Sequence, residues 1–330
     1  MTQPRDCDDF RPTASWETLR RRAMLLRQVR EFFDQRGFLE VETPVLSADT
    51  VVDRHLDPFP VEAGPASPGQ APQRLWLQTS PELGMKRLLA AGAPAIYQVC
   101  HVFRRHERGP LHNPEFTLVE WYRVGDSMDQ GMDLLDELCQ ALLGRGPAER
   151  LPYAVAFQKC TGLDPLVSSP EELRSTAEAL GVAVPDSLAP DDGDGWLDLL
   201  MAERVQPNLG RGRPIIVYDY PPSQAALARV RPGPPRVAER FELYVDGIEL
   251  ANGYHELLAA EELRERFRRN NLWRQRDGKE RLPEENRLFR AMEAGLPPCT
   301  GCALGFDRLV MVATGAATVD QVLAFPFERA

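Results

Sequence analysis

The segment from Phe241 to Leu257, FELYVDGIELANGYHEL, constrains the fold more than any other stretch of the chain. Asp246-Gly247 accepts the positive φ angles of a two-residue turn and ties its flanks into an antiparallel hairpin. Counting outward from that turn pairs Val245 with Ile248, Tyr244 with Glu249 and Glu242 with Ala251. Glu242 and Glu249 then share a face as diagonal neighbours, about 7–8 Å apart. Carboxylates that close repel unless a cation lies between them. Mg²⁺ held by one or two carboxylates plus substrate phosphates fits that arrangement. By itself, an exposed acidic hairpin would show the same pattern.

The remaining patterns mix helices and strands. Residues 15–36 predict an amphipathic helix, with Ser15 as N-cap, Leu19, Ala23, Leu26 and Phe33 as its apolar stripe, and Gly37 as its stop. Phe38–Glu42 predicts a strand ended by Thr43-Pro44, and residues 60–73 a Pro/Gly-rich surface loop. A strand at Trp76–Thr79 and a helix opened by Pro81-Glu82 follow. Two further strands, Ile96–Phe103 and Glu115–Val124, flank a loop, and residues 129–240 form a mostly helical region that strands re-enter at Pro214–Tyr218. Residues 261–294 are helical and charged. Without regular βαβ alternation, this order predicts an α+β fold: an antiparallel β-sheet flanked by helices.

Two other constellations carry chemistry. The loop from Arg104 to Asn113 is longer than the 2–5 residues of an ordinary hairpin connection. It holds Arg104, Arg105, His106, Glu107, Arg108 and His112, a set that suits a polyanion because arginine offers planar paired bonds to phosphate. Near the end, Gly301 and Gly305 let the backbone approach a ligand, and Arg308 falls in the first turn of a helix burying Phe306, Leu309, Val310 and Ala313. A cation opposes the dipole there, which makes sense if an anion occupies the helix start.

Composition bounds the alternatives. A net charge of −10 argues against a protein that holds nucleic acid over a large basic surface, although the basic runs Arg20-Arg21-Arg22 and Arg104-Arg105 mean that charge alone does not exclude RNA. No apolar run approaches bilayer length, and the polar start MTQPRDCDDF lacks the apolar core of a signal peptide, so a cytoplasmic protein is expected. The six cysteines, Cys7, Cys100, Cys139, Cys160, Cys299 and Cys302, are then expected as thiols. The CxxC at 299–302 lacks the second ligand pair of a zinc site.

In combination, these segments resemble the three motifs of class II aminoacyl-tRNA synthetases. Leu39–Pro44 is similar to motif 1, Val102–Arg104 through His112–Thr117 to motif 2, and Gly301–Arg308 to motif 3. Thr79-Ser80-Pro81-Glu82, His112–Thr117 and Glu249–Gly253 carry the wording of the lysine subgroup. That resemblance implies a tail at 1–14 and a catalytic domain at 15–330, with no room for the anticodon-reading OB domain of lysyl-tRNA synthetases. The truncation, together with Glu120–Arg123 and Leu323–Phe325, resembles the EpmA family of lysyl-tRNA synthetase paralogues, which join (R)-β-lysine to a lysine of translation elongation factor P.

What the resemblance implies is specific. ATP would be bound by Arg104, Arg105, His106, Asn113, Glu249, Leu250, Gly305 and Arg308, with Arg104 on the α-phosphate and Arg308 on the γ-phosphate. Glu242 and Glu249 would hold Mg²⁺. Ser80, Pro81, Glu82, Tyr122, Asn252, Glu256 and Ala303 would line the pocket for (R)-β-lysine or lysine. Two acids, Glu82 and Glu256, suit two ammonium groups. Ala303 stands where lysyl-tRNA synthetases usually have glycine, and its methyl would reshape that pocket. His106 departs from the family's acidic residue at the adenine contact, so either Glu107 replaces it or the imidazole accepts the bond. A homodimer follows by analogy with motif 1, and no tRNA partner is expected. The alternatives are a shortened synthetase that charges tRNA or a small molecule, and a catalytically silent regulatory paralogue.

Overall fold

The computed structural model describes residues 10–64 and 72–330. The first nine residues of the expected tail, Cys7 among them, and positions 65–71 of the expected surface loop lie outside the described residues. In chain order the elements are α1 (Trp16–Asp34), β1 (Leu39–Glu40), β2 (Leu46–Ser47), β3 (Pro60–Ala63), β4 (Gln73–Leu77), α2 (Glu82–Ala90), β5 (Ala95–Phe103) and β6 (Glu115–Val124). Next come α3 (Met128–Leu143), β7 (Glu149–Pro152), α4 (Tyr153–Thr161), α5 (Pro170–Ala179), α6 (Gly193–Leu200), β8 (Ile215–Tyr220), β9 (Val230–Arg231), β10 (Val237–Val245) and β11 (Ile248–His255). The chain closes with α7 (Ala260–Arg276), α8 (Arg287–Gly295), β12 (Cys299–Gly305) and α9 (Phe306–Thr314).

The chain forms two compact units. One comprises the described residues up to 121 together with 264–296 and 304–330, the other residues 122–263 and 297–303. In the first, Ser15 caps α1 by accepting from Thr18 N. The buried stripe of that helix is Leu25, Val29, Phe32 and Phe33, whereas Leu19 and Leu26 are half-buried and Ala23 is exposed. Only Phe33 of the expected stripe therefore reaches the core, because the helix turns a different face inward. Its ring stacks on Tyr97 at 4.7 Å and packs against Trp121 at 5.3 Å. Strand order here is β1-β5-β6, and β2, β4 and β3 form a small antiparallel sheet.

In the second unit the order is β12-β11-β10-β8-β7, with β9 paired to β10. Tyr153, Phe157, Leu173, Trp196, Leu200, Val217 and Tyr244 build its core. The helical pattern after residue 128, interrupted by β7, ends near residue 208, and from Ile215 the 129–240 region carries β8, β9 and the start of β10, joined by turns and irregular chain. The expected antiparallel sheet is mixed. β1 runs parallel to β5, and β7 parallel to β8. Both pairings close over long stretches of chain holding helices, the connection that parallel neighbours require.

Candidate active site

The first unit gathers the cationic residues. Motif-2-like β5 and β6 hold the loop between them, and Arg104 sits at its start with its amide bonded to Pro114 O at 2.9 Å. Its guanidinium lies 5.0 Å from the centre of the Phe116 ring and 3.8 Å from the Glu107 carboxylate, a loose pairing that leaves donors for another anion. Arg105 and His106 are exposed, and His106 adopts φ +71°. Asn113 is buried, donates to Glu115 O and accepts from Phe327 N. Its amide therefore holds the loop's exit to the C-terminal segment.

Helix α9 enters this cluster by its N-terminus. Gly305 caps it without any side-chain bond, so its first amides are not satisfied by a cap. Buried Asp307 accepts from Thr117 N at 2.8 Å and pairs with Arg22 of α1, while Arg22 also donates to Thr117 Oγ1 at 2.8 Å. Those bonds fix the helix start to α1 and β6. Arg308 then donates to Leu111 O at 3.2 Å and to Nε2 of His112 at 2.6 Å. The covered part of the His112 ring, and then the Arg308 and Arg104 charges, pull its pKa down to about 4. A neutral imidazole thus accepts from a guanidinium, and three cationic or basic side chains share one locality.

Also in this unit, Ser80 donates to buried Glu120 at 2.7 Å and accepts from Glu82 N at 3.0 Å. Pro81 stands at the start of α2. Glu82 is buried and paired with buried Lys86 one turn further along the helix. Lys86 was not anticipated, although its i+4 spacing from Glu82 was a usable signal.

The second unit gathers carboxylates and tyrosines. Asp246 and Gly247 adopt φ +54° and +82°, and the first two pairs, Val245 with Ile248 and Tyr244 with Glu249, are as expected. Beyond them a bulge shifts the register, so Glu242 faces Asn252 rather than Ala251, and buried Leu250 takes up the extra position. The acids keep a common face: Tyr244 lies opposite Glu249 and two residues from Glu242.

Glu242 is only 5% exposed. Its Oε1 accepts from Arg240, and its Oε2 accepts from Tyr220 at 2.5 Å and from Tyr244. Burial, then the Glu242 charge, hold both phenols well above their usual range, so they remain donors. A carboxylate offers about four lone-pair sites, and three donors leave one on Oε1. That vacancy, with Glu249 on the same face, fits a hard cation shared with phosphate oxygens. Tyr220 and Arg240 came from outside the hairpin's recognisable pattern and were not foreseen. Among the described residues no cluster of three or more His, Cys, Asp or Glu is placed to hold a metal without such a substrate.

Tyr122, Gly301 and Glu256 also meet in this unit. A Cβ built on Gly301 would lie 2.2 Å from the Tyr122 ring and 2.6 Å from Glu256 Oε1. Glycine at 301 therefore makes room for two expected pocket residues rather than for a ligand alone. Asn252 donates to the Tyr254 hydroxyl at 2.9 Å, while its Oδ1 is buried without a partner. Ala303 is half-buried on β12. Cys299 and Cys302 are buried on that strand and form no disulfide; three residues apart, they project to opposite faces.

Comparison with known proteins gives the family. The family model of class II tRNA synthetases (D, K and N) matches residues 5–329. The chain belongs to that family. Among its relatives, the elongation factor P–(R)-β-lysine ligase of Vibrio vulnificus (strain YJ016) is 49% identical over 321 residues, 97% of this chain and 98% of its own. The ligase of the same name from Vibrio cholerae serotype O1 is 49% identical over 98% of this chain and 99% of its own. That of Pasteurella multocida (strain Pm70) is 45% identical with the same coverage.

Proposed function

We infer that this chain is an ATP-dependent ligase that activates (R)-β-lysine, or lysine, as its adenylate and transfers it to a lysine side chain of translation elongation factor P. The observation that carries the reading is identity of 45–49%, along nearly the whole length of both chains, with ligases of that name. The site residues support it. Arg104 and Arg308 retain the cationic character a triphosphate needs, and Glu256 is a buried acid suited to an ammonium group, whereas Glu82 already shares its charge with Lys86.

In the first half-reaction the substrate carboxylate attacks the α-phosphorus of ATP, the bond to pyrophosphate breaks, and an aminoacyl adenylate forms. Such transfers depend on positioning and charge stabilisation. We assign Arg104 to the α-phosphate and Arg308 to the γ-phosphate. Arg105, His106, Asn113, Glu249, Leu250 and Gly305 complete the nucleotide contacts. Glu249 and the remaining Oε1 lone pair of Glu242 would hold Mg²⁺, which supplies positive charge to the triphosphate. Ser80, Pro81, Glu82, Tyr122, Asn252, Glu256 and Ala303 receive the amino acid; the buried Asn252 Oδ1 is an acceptor suited to an ammonium group. In the second half-reaction the acceptor amine, ordinarily of pKa about 10.4, loses its proton and attacks the adenylate carbonyl. The amide forms and AMP leaves.

The test is ATP–pyrophosphate exchange with α-lysine and with each β-lysine enantiomer, followed by mass measurement of elongation factor P. Exchange stimulated most by the (R)-β form and a mass gain of one lysyl group on the factor are expected. Label recovered on RNA instead of protein would replace this reading with a tRNA-charging one.

A further inference from the structure

We propose that Glu239 and His255 act as a positioning pair that fixes Glu256 by tying down a short strap of chain. The proposal rests on the assignment of Glu256 to the amino acid's ammonium group. The strap is Leu227–Arg231, whose last two residues form β9. It crosses the end of β11: Leu257 N donates to Leu227 O at 3.0 Å, Arg229 N donates to His255 O at 2.9 Å, and Ala228 bridges to Glu256. On its other side Glu256 donates its amide to Cys299 O at 3.0 Å. The backbone of Glu256 is therefore gripped from both flanks, and its side chain is 1% exposed.

Glu239 holds the strap in place. It is buried on β10, donates its amide to Arg229 O at 3.0 Å, and places its carboxylate among three donors. Arg229 Nε and Arg231 reach it from the strap, and His255 Nδ1 reaches it from β11 at 2.8 Å. Arg231 extends the chain of charges to Asp219 at 2.6 Å. Burial opposes the charge on Glu239 and is the largest single influence, but the bond and charge of Arg229, with His255 and Arg231, together outweigh it and keep the carboxyl below its usual range. Burial and the Arg229 charge hold His255 below its own usual value, so the neutral ring donates through Nδ1. Because side chains alternate along a strand, His255 points away from the face Glu256 uses. The pair thus acts on the substrate only through Glu256 and is a positioning device.

His255→Leu removes the donor at similar bulk, and His255→Gln retains an amide donor. Both would be compared with wild type in pyrophosphate exchange and in thermal unfolding. His255→Leu is expected to raise the KM for the amino acid on the order of tenfold, as small misplacements do, with the KM for ATP nearly unchanged. His255→Gln is expected to recover most of the loss. An unchanged amino-acid KM in His255→Leu, or equal rises in both KM values tracking a lowered Tm, would overturn the strap's role while leaving the ligase reading intact. Wild-type protein without lysine-dependent exchange would overturn the ligase reading and the strap's role with it.

Discussion

A guanidinium in the first turn of a helix opposes the positive end of the dipole. Arg308 occupies that position because His112 and the carbonyl of Leu111 accept its N–H groups. Loop chemistry hinted at both side chains, but no local pattern joins residues 196 positions apart; only the folded β5–β6 loop does. Burial of the ring, and then the Arg308 and Arg104 charges beside it, fix the protonation of His112. With a folded value near 4 against about 6.5 ordinarily, protonation favours the unfolded chain. The stability this group contributes is therefore complete above the ordinary value and is lost as pH falls through the folded one. Across about pH 6 to 8, the KM for ATP is expected to show no titration from His112. A step near the ordinary histidine value that disappears in His112→Gln would contradict the pairing. Arg308→Ala is expected to abolish exchange, and normal exchange in that variant would remove the arginine from phosphate binding.

At the scale of elements, the β10–β11 hairpin shows what the sequence carries and where it stops. Asp246-Gly247 specifies the turn and the two nearest pairs, because turn geometry is local. The bulge at Leu250 depends on what packs behind the strand, so the outer register slips by one and Glu242 meets Asn252. The common face of the acids was legible all the same, since period-2 alternation from the turn places Tyr244 beside Glu242 and opposite Glu249. The donors around Glu242 were not, because Tyr220 arrives from β8 through long-range pairing. Those donors carry measurable energy. Tyr244→Phe deletes one hydroxyl from a buried carboxylate and is expected to lower stability by about 1–3 kcal/mol in urea unfolding. Tyr220→Phe should cost a similar amount. The double variant should depart from the sum, because both hydroxyls bond the same oxygen. Strict additivity would show that the two act independently of Glu242.

At the scale of the molecule, the helices and most strands were readable from periodicity, but the edge pairings of β1 and β7 were not: parallel neighbours far apart in sequence leave no local signature. The motif-1-like segment raises a related question. Leu39 is 63% exposed and Trp16 is 67% exposed, and Val45 and Leu46 are also open to solvent. Single apolar side chains on a surface are ordinary, but Leu39 lies in the segment resembling the dimer-forming motif of this family, and Val45 and Leu46 follow that segment directly; these three support a second copy of the chain as their cover. The wild-type protein is therefore expected to sediment as a dimer at micromolar concentration. Leu39→Asp would bury a carboxylate against the partner's apolar surface, a penalty large enough to weaken association by at least tenfold, since about 1.4 kcal/mol suffices for that factor. Because Leu39 packs outside the core of its own unit, the monomeric variant should keep its Tm to within a few degrees when measured well below the dimer's dissociation constant. A wild-type monomer at all accessible concentrations, or an unchanged dimer in Leu39→Asp, would place the interface elsewhere.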